Sequence, residues 1–447
     1  NNKSPAKESF MSIVNALTMN SNRKIKINFS GGNLSSDSGM LLIHEFAEKL
    51  GLEAILEKDF STDDNGKRKH TDSKNAMQKI YQLIAGYFQD DDSDELISDP
   101  IFTTILNKKS LASQPTISRF NNRCDEICLY QFELIHQELR NRIYSWKKPE
   151  FLLIDIDSSL FATYGSQEGS SFNAHYHGYH PLLAYDGTTG DLLSAKLRSG
   201  NCYTSKDTIS FLEPLLDEFS TNYSDIPLFM RGDSGFADVM IYEKLESNGV
   251  SYAIRMKENP RLRKAADFIE EELFQKTVYN KTDHAVSYGE FLYKADSWLY
   301  PRRVICKIEK PMEQMNHLYT FIVTNMESSP EELINFYHKR GSMENFIRES
   351  KYGFNMASMS SKNMIINTNK LQINMLAYNL FNWFRRLVLP KSFEKLQADT
   401  IRIKLLKISS KLVNSARYMI FKLCSHCPYK KEFFETLDNI FKLKQLR

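Results

Sequence analysis

The sequence predicts an α/β protein, with a helical first third, a central sheet starting at Phe151, and a return to helix near residue 330. Three observations predict it. Met40 to Leu56 and Asn75 to Phe88 carry apolar residues at helical spacing. Phe151-Leu-Leu-Ile-Asp-Ile-Asp157 is an unbroken strand run, bounded upstream by Lys147, Lys148 and Pro149. Ser328-Ser-Pro-Glu-Glu332 then reads as a helix start, with Ser329 as cap, Pro330 at the first helical position and Glu332 closing a capping box.

Between these landmarks the elements follow in order. Pro181 to Tyr185 and Leu192 to Leu197 are apolar runs joined by the turn signal Asp186-Gly-Thr-Thr-Gly190, so they predict an antiparallel hairpin. Thr204 with Asp207 predicts a capping box that opens an amphipathic helix to about Phe219. A strand (Pro227 to Arg231), a helix (Ala237 to Ser247) and a strand (Ser251 to Met256) come next. Three antiparallel strands followed by alternating helix and strand are the order of an RNase H-like core. From Pro260 to Asn325 the rhythm is β-rich, and it reads as an insertion before the last core helices. The expected layout is therefore a helical N-terminal region (1–148), the first part of the core (149–259), the insertion (260–325), the second part of the core (326–390) and a basic helical C-terminal region (391–447).

Composition bounds the function classes. No apolar run reaches the roughly 18 residues of a membrane span. The nearest, Met375 to Leu389, is interrupted by Asn379, Asn382, Arg385 and Arg386 and reads as a buried or amphipathic helix. The polar stretch Asn1 to Ser9 lacks a signal-peptide layout. A soluble cytoplasmic protein without membrane partners is expected. Net charge is only +3, but residues 391–447 hold 13 Lys or Arg against 5 Asp or Glu, a net +8 that leaves −5 for the rest. That imbalance fits a phosphate-binding appendage or a solvated lysine-rich face. Cys124 and Cys128 lie about 300 residues from Cys424 and Cys427, too far apart in sequence for the usual paired zinc spacing. The acidic cluster Asp90, Asp91, Asp92, Asp94 and Glu95 reads as a solvated loop entering a helix.

The strongest chemical signal is Tyr337-His-Lys-Arg-Gly-Ser-Met-Glu-Asn-Phe-Ile-Arg-Glu-Ser-Lys351. In a regular helix Tyr337, Arg340, Glu344 and Lys351 fall within about 60° of one another. A core-facing stripe would be apolar; this one offers a ring, two cations and a carboxylate. Two more carboxylates stand where an RNase H-like sheet would make them neighbours. Asp157 ends the first core strand, and Asp233 follows the fourth in Leu228-Phe-Met-Arg-Gly-Asp-Ser-Gly-Phe236. Asp155 shares a strand side with Asp157 and competes for the assignment; Ser158 and Ser159 favour Asp157. Three hard oxygen ligands suit Mg²⁺ or Mn²⁺. Two such ions about 3.5–4 Å apart serve in-line phosphoryl transfer. Gly232 and Gly235 around Asp233 are expected to let a DNA backbone approach.

Tyr337-x₂-Arg340-x₃-Glu344-x₆-Lys351 resembles the Tyr-Arg-Glu-Lys signature of a group of bacterial insertion-sequence DDE transposases, over about Phe151 to Pro390. The resemblance implies metal held by Asp157, Asp233 and Glu344, and transposon-end phosphates held by Tyr337, Arg340 and Lys351. It implies strand cleavage by water, then attack of the freed 3′-hydroxyl on target DNA. The expected partners are transposon-end inverted repeats and target DNA, met by a homodimer in a bacterial, nucleoid-associated setting. In such relatives inserted aromatics hold a base taken from the stack, which would give Trp298 that role, with core packing as its alternative. A polar helix face carrying Thr116, Arg119, Asn122 and Arg123, opened by Ser113 and Pro115, offers a DNA-tracking surface or an ordinary solvated one. His175, His177 and His180, interleaved with aromatics, read as cleft-lining or DNA-touching rather than metal-binding. A nuclease of the same fold without strand transfer, or a DNA-binding protein derived from a transposase, are the other readings.

Overall fold

The computed structural model describes residues 17–62, 66–173, 176–280, 284–312 and 316–446. At its centre is a mixed sheet of eight strands: β1 (Leu152–Ser158), β2 (Leu182–Asp186), β3 (Leu192–Lys196), β4 (Leu228–Gly232), β5 (Ser251–Met256), β6 (Ala285–Tyr293), β7 (Arg302–Lys310) and β8 (Leu318–Thr324). Their spatial order is β6-β7-β8-β5-β4-β1-β2-β3. β1, β4 and β5 run parallel at the middle, and every other pairing is antiparallel. Parallel central strands are covered on both faces, so Leu152, Leu153, Ile154 and Ile156 of β1 are all buried, with Asp155 buried among them.

The hairpin forms as the turn chemistry demands. Asp186 accepts from the backbone N–H groups of Thr188 and Thr189, and Gly190 takes a φ of 74°. Among the described residues of 260–325, helices Pro260–Ala265 and Asp267–Asn280 come before β6, β7 and β8. These strands continue the central sheet through β8 against β5 and build no sheet of their own.

The polar residues in the apolar run near 380 have a structural purpose. Helix Met364–Val388 is buried along most of its length, beside the edge strand β3. Asn379 accepts from the Leu192 N–H and donates to the Leu192 carbonyl, both at 2.8 Å. Gln372 donates to the Ala195 carbonyl. An unpaired sheet edge is thus satisfied by side-chain amides. No helix among the described residues is long and apolar enough to cross a membrane.

Three local expectations change. The periodic stretch from Met40 is two helices, Met40–Leu50 and Leu52–Asp59, because Gly51 (φ 74°) ends the first with a left-handed cap. No capping box forms at Thr204; the helix starts at Thr208 behind Asp207, whose φ is 62°. The turn before it is held by Arg198, which donates to the carbonyls of Tyr203, Thr204 and Lys206. The C-terminal region is not wholly helical either. Ser410–Asn414 and Met419–Leu423 form a hairpin that adds Leu34–Ser35 as a third strand, followed by helix Lys430–Lys442.

Candidate active site

Asp157 and Asp233 lie one residue beyond the Ile156–Gly232 pair of parallel strands β1 and β4. Such strands sit about 4.8 Å apart, so the two carboxylates share one end of the sheet. Asp233 caps the short turn Ser234–Phe236 by accepting from the Gly235 N–H at 2.8 Å. Asp157 accepts from the Ser158 N–H at 2.8 Å, and its side chain is 19% exposed. Burial raises the Asp157 carboxyl above the ordinary range; Arg340 pulls it down and the charge of Asp233 pushes it up.

Asp155 stands differently. It is fully buried and makes two 2.6 Å bonds to Arg231, itself 1% exposed. Arg231 also donates to the Phe336 carbonyl and lies over the Phe336 ring. Asp155 is therefore committed to an internal ion pair, while Asp157 reaches the rim. Sequence reading missed Arg231, although its register opposite Asp155 on the adjacent strand was a usable sign.

The helix expected to run through Tyr337 to Lys351 is broken twice. Pro330–His338 is α-helical, with the capping box of Ser329 and Glu332 formed. Lys339–Gly341 is a 3₁₀ turn, Ser342–Arg348 is α-helical again, and Glu349–Gly353 is a π turn. Three residues at about 120° each, in place of 100°, rotate the downstream residues by about 60°. The single stripe therefore does not form. Tyr337 packs with Ala253, Ile305, Ile322, Leu333 and Ile334. Arg340 pairs with Asp157 at 2.9 Å and donates to the Ile156 carbonyl at 3.0 Å. Lys351 donates to the Leu160 carbonyl at 2.8 Å and to Ser159 Oγ at 3.3 Å, and burial lowers its ammonium pKa. Arg340 and Lys351 thus reach the end of β1, Tyr337 packs on β5, β7 and β8, and Glu344 is exposed on Ser342–Arg348.

The π turn that delivers Lys351 is clamped from behind. Arg385 holds Glu349 through bonds of 2.7 and 2.8 Å, and Tyr185 meets Ser350 at 2.7 Å. These positioning contacts join residues far apart in sequence, and no local pattern announces them.

The other site candidates divide. Arg119 is exposed, with one bond to Thr116. Arg123 is not open to a ligand: it pairs with Asp72 at 2.7 Å and donates to Thr62. Trp298 is 7% exposed, with Tyr242 and Tyr293 edge-on to it and Arg302 over its ring. Core packing, the alternative for this tryptophan, is what is observed, since an indole enclosed this way has no open face for a base. Gly232 and Gly235 serve internal packing. A Cβ on Gly235 would meet Thr204 at 2.6 Å, and one on Gly232 would meet Phe236 at 3.2 Å. His177 is exposed and shares bonds with Thr163 and Ser170; His180 bonds the Cys202 carbonyl. His175 lies outside the described residues.

The donor chemistry fits a hard divalent cation in part. Asp157 and Asp233 are oxygen donors at one strand end, where the Arg340 guanidinium already supplies positive charge. Glu344 stands apart from them, and among the described residues no group of three or more His, Cys, Asp or Glu side chains is gathered to hold an ion.

A family model described as transposase DDE domain group 1 matches residues 17–445. The chain belongs to this family. It is a DDE transposase, an enzyme of the nuclease and transferase kind that acts in DNA transposition, in a family that generally uses divalent metal ions. No curated protein matches the transposase. Among solved structures it is similar to a piggyBac transposase synaptic complex with hairpin DNA, at 11% identity and a TM-score of 0.43, over 83% of this chain and 80% of that one. A simian T-cell lymphotropic virus intasome in complex with PP2A regulatory subunit B56 gamma matches at 11% identity and a TM-score of 0.20, over 40% of this chain and 80% of that one. Neither likeness is close enough to transfer residue roles to the transposase.

Proposed function

We propose that this transposase cleaves DNA at the ends of a bacterial insertion sequence and joins the freed 3′-hydroxyl to target DNA. On this reading β1 to β5 are an RNase H-like core, 260–325 is its insertion, and Tyr337 to Lys351 is the Tyr-Arg-Glu-Lys signature. The observation that carries it is the meeting of Asp157, Asp233, Arg340 and Lys351 at one end of the sheet. Asp157, Asp233 and Glu344 would hold Mg²⁺ or Mn²⁺. When bound, two such ions supply Lewis-acid activation of the attacking oxygen and stabilisation of the leaving one.

The chain's own residues do the rest. Arg340 offers a planar fork to a phosphate flanking the scissile bond, and Lys351 offers a second cation from its clamped turn. Buried Tyr337 sets the angle at which Arg340 leaves its helix. Glu344 joins the aspartates when Ser342–Arg348 turns toward the strand ends. The 3₁₀ turn Lys339–Gly341 that precedes that helix is the hinge on this reading, while the π turn after it stays clamped. A Cβ built on Gly341 meets nothing within 4 Å. The natural substrates are the inverted repeats and target DNA, engaged by a homodimer.

Incubating the protein with end DNA, a target plasmid and Mg²⁺ tests the reading. Joined products are expected. Nicking alone would mark a nuclease, and binding alone a DNA-binding derivative of a transposase.

The basic tail is read as a phosphate contact, but it cannot be cut away cleanly. Arg402 is buried and donates to the carbonyls of Leu83 and Ile84 at the end of helix Asp72–Ala85. Substitution of exposed Lys411, Arg417 and Lys422 on the C-terminal hairpin by Ala is the better probe. Each lost phosphate contact should lower the slope of log affinity against log salt by about 0.9. An unchanged slope would mean that the hairpin faces away from DNA.

A further inference from the structure

We propose that Lys69, His70, Lys74, Lys108 and Ser110 form a binding site for one phosphate group, supplied by the backbone of DNA. The choice of DNA as the source rests on the function proposed above; the site itself does not. Lys69 and His70 precede helix Asp72–Ala85, and Lys74 lies in its first turn. Lys108 and Ser110 follow helix Pro100–Ile105. Lys69 Nζ donates to Ser110 Oγ at 3.1 Å, which joins the two segments.

The loop that carries Lys108 is fixed at both ends. Asn107 takes a left-handed φ of 51°, and the Lys108 N–H donates to the Thr103 carbonyl at 2.8 Å. Farther on, the buried Gln78 amide donates to the Ala112 carbonyl and accepts from the Ala112 N–H, both at 2.9 Å.

Held this way, the Lys108 ammonium is unsatisfied. A lysine usually extends its stem until the nitrogen reaches water. Lys108 Nζ is instead buried with no hydrogen-bond partner, and so is His70 Nδ1. Burial, followed by the charge of Lys74, pushes the Lys108 ammonium down to about 8. Burial, followed by the charges of Lys108 and Lys69, pushes His70 down to about 4. Lys69 and Lys74 are thus close enough to oppose the charge of Lys108. Glu53, the carboxylate whose charge reaches Lys108, is already paired with Lys74.

Buried donors left unpaired are destabilising, the more so when charged. Lysine has no acceptor to offer, so the cluster is completed by an anion with several oxygens. A phosphate accepts charge-assisted bonds from ammonium groups and further bonds from the hydroxyl and the imidazole N–H. Lys67 and Lys109, exposed beside these residues in the chain, would meet the next phosphates of a DNA strand, which a free ion does not bring.

The test uses the full-length protein in two arms. Lys108→Met keeps the aliphatic stem and removes the charge. In the first arm the melting temperature is followed against inorganic phosphate, with sodium chloride of equal ionic strength as reference. Wild type should gain about 3 °C at phosphate a hundred-fold above its dissociation constant. Lys108→Met should lose that gain, and should melt above wild type in phosphate-free buffer because the unpaired ammonium is gone. In the second arm, Lys108→Met should bind an end duplex roughly 5- to 10-fold more weakly at about 0.1 M salt, with a salt slope lower by about 0.9, the loss of one phosphate contact. Lys69→Ala changes an exposed side chain, so folding is not at stake, and it should shift both arms the same way. Loss of the phosphate response with an unchanged DNA slope would keep the site and overturn DNA as its source. Lys108→Met melting below wild type, with Lys69→Ala like wild type in both arms, would overturn the site and make Lys108 a packing residue. Wild-type behaviour of both variants in both arms would overturn it outright. Wild-type protein that binds no DNA but keeps the phosphate response would remove the proposed function and leave the site standing.

Discussion

Asp157→Asn should give a folded protein that binds DNA ends and does not cut them, whereas Asp155→Asn, two residues earlier, should compromise the fold itself. The Asp157 side chain sits at the rim, and asparagine keeps an oxygen for the Ser158 N–H. What is lost is a charged ligand, so the fall in single-turnover cleavage should exceed the roughly 10- to 100-fold typical of a group that only orients a ligand. Asp155 is bound to Arg231 in a pair with no solvent access. Removing its charge leaves a buried guanidinium unpaired, which costs about 3–5 kcal/mol. That is a large part of the roughly 5–15 kcal/mol by which a protein is stable. Chemical denaturation beside a cleavage assay separates the two. A stable, inactive Asp155 variant with a fully active Asp157 variant would exchange their roles.

Arg340→Ala is expected to reduce cleavage on the order of 10²-fold, the scale of a misplaced reacting group. Occupancy by metal should not fall, because Arg340 is a donor that now covers an Asp157 oxygen. Arg340→Lys should recover only part, since an ammonium cannot copy the planar fork. Arg348 is the control: it is exposed and, among the described residues, bonds only Asn345 on its own helix. Single-turnover cleavage on pre-bound end DNA, with metal titrated separately, reads both effects. Equal losses at Arg348 and Arg340 would point to a generally basic helix surface rather than to one directed residue.

Patterns carried by neighbouring residues were legible from the sequence. The β1 run, the Asp186–Gly190 turn and the capping box at Ser329 each depend on chemistry within a few residues. What the sequence hid depends on distant partners. An arginine on a helix face looks the same whether it is open, like Arg119, or tied to Asp72, like Arg123. Trp298 next to Arg302 left base stacking and core packing both open, and Tyr242 from another element decides for packing by closing the ring in. The stripe from Tyr337 to Lys351 was computed for one regular helix. The 3₁₀ and π turns that break it come with packing of Tyr337 against the sheet and clamping of Glu349 by Arg385. The C-terminal hairpin was masked by its lysines, although Lys-Leu-Val and Met-Ile-Phe flank a short turn.

The carboxylate in this structure that stands farthest from its assigned partners bears most directly on the central claim. Joining of end DNA to a target plasmid in Mg²⁺ should be measured for wild type and Glu344→Gln, with end binding measured beside it. The account predicts that Glu344→Gln binds ends normally and yields no joined product. Near-normal joining by that variant would contradict the placement of the active site at Asp157, Asp233 and Glu344.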